Sequence, residues 1–119
     1  MGKLLVHTRD VGKKLEQHVL EVIKTVDPTA KLTNNSGAVS GNGDISSYFF
    51  QIECKKKNKK NCIINIDIWN KLCYSIQIGS NKIPILFMEN LNKDKFAITD
   101  LKDFERLIQK AYNGKTKEK

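Results

Sequence analysis

The chain lacks the means for a covalently or metal-stapled fold. Its three cysteines, Cys54, Cys62 and Cys73, are an odd number, form no Cys-x-x-Cys pair and have no histidine at zinc-finger spacing. That argues against a disulfide framework and a structural zinc site, and leaves reduced thiols half-buried on strands and a helix. No apolar run approaches the roughly 20 residues needed to span a bilayer, and no leader with a basic start and apolar centre precedes the first helical segment. A soluble protein without membrane contact, in a reducing compartment such as the cytoplasm or nucleoid, is expected. The histidines, His7 and His18, have no partners that the sequence reveals. With 119 residues, 39% of them hydrophobic, there is material for one modest core and a single domain.

What the chain does have is positive charge: 21 Lys and Arg against 13 Asp and Glu, a formal net charge of +8 and a pI near 9.4. Such a surface attracts polyphosphates without specifying any chemistry. Five lysines fall in six positions, Lys55, Lys56, Lys57, Lys59 and Lys60. The run reads as a solvated hairpin tip, which beside a phosphate-binding site would raise DNA affinity through counterion release.

Periodicity orders the elements. From Val11 to Val26, apolar residues at Leu15, Val19, Val22, Ile23 and Val26 recur every three or four positions, a helical stripe stopped by Asp27-Pro28. Glu16 sits at the edge of that stripe. The segment from Thr29 to Gly43 is rich in Thr, Asn, Ser and Gly and reads as an extended loop whose glycines admit a close backbone approach, with Ser36 as a hydrogen-bond donor. A strand from Tyr48 then alternates, with Phe50, Ile52 and Cys54 on one face and Gln51, Glu53 and Lys55 on the other. Cys62 to Asp67 could start as a strand and turns helical, with Ile68, Trp69, Leu72, Cys73 and Ile76 on one side and Gly79-Ser80-Asn81 as the stop. Lys82 to Glu89 is a buried strand with Pro84 near its start, Asn90 to Asp94 a turn, Lys95 to Ile98 a returning strand, and Asp100 opens an amphipathic helix ended by Gly114 and a charged tail over residues 113–119. Helix, strands, helix, strands, helix predicts an α/β or α+β domain with a central mixed sheet flanked by helices. Tyr48, Phe49, Trp69 and Tyr74 could stack on unpaired bases, but beside apolar stripes they read mostly as core or dimer contacts.

The chemistry concentrates at the strand end. Glu53 and Lys55 project side by side, and Asp44 on the preceding short segment offers a second carboxylate. A carboxylate beside an ammonium can bind a divalent ion and a phosphate oxygen together. Mg²⁺ needs few protein oxygens, and its charge both supplies a hydroxide near neutral pH and disperses transition-state charge. The alternative is a strand-end salt bridge.

Taken together, Gly12 through Glu16, Ser36-Gly37-Ala38, Gly43-Asp44-Ile45, Glu53-Cys54-Lys55 and Lys82 through Leu86 resemble the PD-(D/E)XK nuclease superfamily, within it most closely the small Holliday junction resolvases of archaeal and phage type. The likeness runs in order along nearly the whole chain, with motif-grade residues between Asp44 and Lys55. Gly43 stands where the superfamily name has proline. The resemblance implies a restriction-endonuclease-like core. It implies that Asp44, Glu53 and the Cys54 carbonyl hold Mg²⁺, or Mn²⁺ in its place, with Glu16 added to the metal shell. Lys55 would orient or help deprotonate the attacking water, and Ser36 and Gly37 would lie in a phosphate-contacting loop, with Lys56, Lys57, Lys59 and Lys60 extending the contact with DNA. The implied activity is paired nicking of four-way junctions by a homodimer. Flapped, nicked, single-stranded or duplex DNA as substrate, and a non-catalytic basic DNA-binding module, are the alternatives.

Overall fold

A computed structural model describes residues 14–33 and 44–117. The elements are α1 (residues 14–24), β1 (Lys31–Leu32), β2 (Ile45–Ser46), β3 (Phe50–Lys56), α2 (Ile66–Tyr74), β4 (Ile83–Glu89), β5 (Lys95–Ile98) and α3 (Leu101–Lys117). The architecture is α+β, a five-stranded mixed sheet in the order β1-β2-β3-β4-β5 with three helices. β3 and β4 run parallel through the α2 crossover, and the other neighbours are antiparallel.

Alternation in β3 and β4 divides the core. Phe50, Ile52, Cys54, Ile83 and Ile85 pack with Ile45 and with Leu15, Val19, Leu20 and Ile23 of α1. Leu86 and Met88 turn the other way, onto Leu72, Ile68 and Trp69 of α2. The α1 stripe is therefore rotated from the expected one. Leu20 is buried and Val22 exposed, and Val26 is exposed because it already lies in the turn beyond the helix.

Three other expectations need correction. Residues 62–65 form no strand and Ile63 and Ile64 are exposed: both edges of β3 are occupied by β2 and β4, and Asn65 instead caps α2 by accepting from the Asp67 amide at 2.9 Å. The helix closes at Ser75, before the left-handed Gly79. α3 runs through Gly114 to Lys117, so 113–117 is helix where a flexible tail was expected; Gly114 does not adopt the left-handed conformation that ends helices. Its start is as expected, with Asp100 Oδ1 accepting from the Lys102 amide at 2.8 Å. Most of its apolar stripe (Leu101, Phe104, Ile108 and Tyr112) faces outward, and Leu107 packs on the core.

Candidate active site

The β2–β3 pairing builds the site. Ile45 faces Ile52 and Ser46 faces Gln51, so the next rung sets Asp44 opposite Glu53 on the same face. Asp44 is 4% exposed, and its Oδ2 accepts from the Cys54 amide at 2.7 Å. The carboxyls of Asp44 and Glu53 share a hydrogen bond. Burial first, and then the charge of Asp44, push Glu53 from an ordinary 4.5 up to about 7; the nearby Lys55 acts in the opposite sense. Lys55 Nζ lies 3.6 Å from Glu53 Oε2, with the lysine side chain 40% and the glutamate 22% exposed. Two acids and an ammonium thus meet at a partly open sheet face.

Cys54 points to the α1 side of the strand. Burial raises its thiol far above the ordinary range, and the charges of Asp44, Glu16 and Glu53 add to this, so it is no thiolate nucleophile. The same effect places Glu16 close enough to the Cys54 thiol for its charge to be felt there. Asp44, Glu53 and Lys55 are therefore gathered at one end of the sheet. Ser36, Gly37, Gly43 and Gly12 lie outside the described residues, as does His7.

Among the described residues no three His, Cys, Asp or Glu side chains form a ready-made metal cage. The donor set nevertheless fits a hard cation that keeps most of its waters. Burial and, after it, the charge of Asp44 both disfavour an ionised Glu53, and a divalent ion would relieve the carboxylate repulsion.

The lysine run is not a hairpin tip, because β3 and β4 are parallel; it begins the crossover into α2. Lys56 is turned inward, 3.4 Å from Glu89 Oε1 and donating to the Asn90 carbonyl at 2.6 Å. Lys59 and Lys60 are exposed, and their backbone is tied to the β4–β5 turn: the Leu91 amide donates to the Lys59 carbonyl at 3.0 Å and Asn90 Nδ2 to that of Lys60 at 3.0 Å. Lys57 is half-buried.

In the sequence Asp27 is a helix stop; in the structure it does more. It is 3% exposed and accepts from the Thr29 hydroxyl at 2.6 Å, the Thr29 amide at 3.2 Å and the Phe49 amide at 3.0 Å. The Thr29 hydroxyl in turn accepts from the Tyr48 amide at 2.7 Å, so this knot fixes the β2–β3 turn. Asp-x-Thr spacing after a helix was the local signal. Lys82, which donates to Ser46 Oγ at 2.7 Å, carried no such signal because the pairing spans 36 residues. Tyr48 and Tyr74 are exposed and belong to no core, whereas Trp69 packs from α2 against Leu86 and Met88 of the sheet. Comparisons with family models, with curated proteins and with solved structures find no match to this chain.

Proposed function

We propose that this protein is a divalent-metal-dependent DNA endonuclease that nicks branched, four-way DNA in pairs as a homodimer. The observation that carries the reading is the Asp44–Glu53 carboxyl pair with Lys55 beside it on one face of β3. Asp44, Glu53 and the Cys54 carbonyl would hold Mg²⁺ or Mn²⁺, and Glu16 would be added to the metal shell. A divalent ion there would acidify a water and neutralise charge on the phosphate. The chain's own groups do the rest. The Cys54 amide fixes Asp44, the rigid strand fixes Glu53 against it, and the Lys55 ammonium donates to a phosphate oxygen as negative charge develops. Water oxygen bonds to phosphorus, the bond to the leaving strand oxygen breaks, and the proton taken from the water ends on that oxygen. The net charge of +8 and the exposed Lys59 and Lys60 favour a polyanion as substrate.

The test incubates the protein with Mg²⁺ and end-labelled four-way, flapped, nicked, single-stranded and linear duplex DNA, beside Glu53→Gln and Lys55→Ala. Wild type should cut the four-way substrate symmetrically, and each variant should be slower by about two orders of magnitude or more. The reading is sunk if wild type cuts nothing or if both variants match it. Preferential cutting of another DNA keeps the chemistry and replaces the substrate. Sedimentation equilibrium should give twice the chain mass, and a monomer would remove the pairing of nicks.

A further inference from the structure

Next to the β2–β3 turn lies an open cleft of about 930 Å³ whose walls combine exposed rings with cations: Tyr48, Phe49, Lys82, Arg106 and Lys110. Tyr48 is 73% exposed, and its ring meets Phe49 edge to face, with centroids 4.8 Å apart and planes at 89°. Lys110 Nζ sits 4.9 Å from the centre of the Phe49 ring. A large apolar ring left in water on a surface loop is ordinarily held loosely. Here the backbone beneath it is held by buried Asp27 and by Thr29, through the amides of Tyr48 and Phe49. The backbone under the platform is thus tied to the core, and the outer face of Tyr48 is open for a planar partner.

The cations differ in how far they are already engaged. Arg106 pairs with Asp103 at 2.9 Å and also donates to the Asn81 carbonyl. Lys82 donates to the Ser46 hydroxyl and Lys110 lies over a ring, and neither is in an ion pair with an acid among the described residues. Lys82 also lines a second cleft of about 400 Å³, with Lys31, Ser46 and Gln51. Gln51 stands two residues before Glu53 on the same strand face, a step of about 7 Å. The two clefts share Ser80 and Lys82, so cations line a trough from the ring platform to Gln51, and Glu53 and Lys55 follow Gln51 on the same strand face.

We infer that this trough binds an unpaired strand of nucleic acid, stacking a base on Tyr48 with phosphates along Lys110 and Lys82, and leads that strand to the carboxylate site. The spacing of an open ring beside cations suits a single strand, whose bases are free to stack, and not a closed duplex, whose bases are already stacked. The placement relative to Glu53 rests on the nuclease reading; the binding does not. Its consequence for that reading is a substrate with unpaired nucleotides at the branch.

The test is fluorescence anisotropy of a labelled oligothymidylate of about 12 nucleotides, in EDTA so that cleavage plays no part, with oligouridylate and a hairpin duplex as further arms. Wild type should bind oligothymidylate more tightly than duplex. Tyr48→Ala should weaken that binding about five- to tenfold and Tyr48→Phe should leave it near wild type, while Lys110→Gln should reduce its salt dependence. A 5-bromouracil strand should crosslink to the peptide containing Tyr48. The inference is overturned if Tyr48→Ala binds as wild type does, or if duplex is preferred. Tighter binding of oligouridylate would assign the trough to RNA. Four-way cleavage with Tyr48-independent binding sinks this inference alone, and Tyr48-dependent binding without cleavage sinks the nuclease alone.

Discussion

Burial and the facing charge of Asp44 lift the Glu53 carboxyl from 4.5 to about 7, so without metal an ionised Glu53 opposes folding. The folded protein holds this proton more tightly than the unfolded chain, and stability therefore falls as pH rises from about 4.5 through 7. Glu53→Gln preserves shape and removes the charge. In EDTA at pH 8 it should stabilise the protein by roughly 1–3 kcal/mol after allowance for partial exposure, and at pH 4, where both side chains are neutral, it should gain nothing. Urea midpoints at the two pH values check this, and equal midpoints at pH 8 would remove the repulsion argued for Asp44 and Glu53. A variant that is steadier but inactive is the pattern expected of a group held at a cost for its chemistry. Glu53 and Lys55 were legible as neighbours from strand alternation alone. The contact of Glu53 with Asp44 depended on the hairpin register, which local pattern does not fix.

At the scale of elements, the Asp27 knot joins the end of α1 to the β2–β3 turn. Burial alone would raise this carboxyl, but hydrogen bonds from the Thr29 and Ser47 hydroxyls and the Phe49 and Thr29 amides outweigh it and hold it at about 2. Its stabilisation is present above its ordinary value of 3.8 and is lost as pH falls through about 2. Asp27→Asn should lower the urea midpoint at pH 7 and flatten the loss of stability between pH 4 and pH 2.5. Parallel acid limbs for the two proteins would show that the knot carries no such linkage. The buried knot was missed because a helix-stopping Asp-Pro looks the same whether or not the Phe49 amide, 22 residues on, arrives on it. The misread strand at Cys62 and the misread hairpin share a cause. Whether a sheet has a free edge, and whether the next strand returns parallel, are settled by distant partners. β4 and β5 were legible because their apolar runs are short and bounded by turn residues, and α1 was legible as a helix but not in its phase.

Across the whole molecule, protection should be uneven. β3 and β4 lie between other strands, with the α1 layer against one face of both and the α2 layer against the other face of β4, while α3 exposes most of its apolar stripe and packs through Leu107. Hydrogen exchange followed by mass spectrometry should show α3 amides exchanging at least about tenfold faster than those of β3. Equal protection would mean that the helix belongs to the same cooperative unit as the sheet. The amphipathic pattern of α3 was plain in the sequence, yet that pattern says which face is apolar and not whether the fold covers it. The two parts of the trough also differ in how much chain must be in place before they exist. Asp44 and Glu53 meet across a tight hairpin, nine positions apart, and that meeting can occur as soon as the hairpin closes. The ring platform reaches from Tyr48 to Lys110 and waits for the last helix to dock. On the proposed reading, a newly made chain acquires the means of breaking a strand before the means of gripping one.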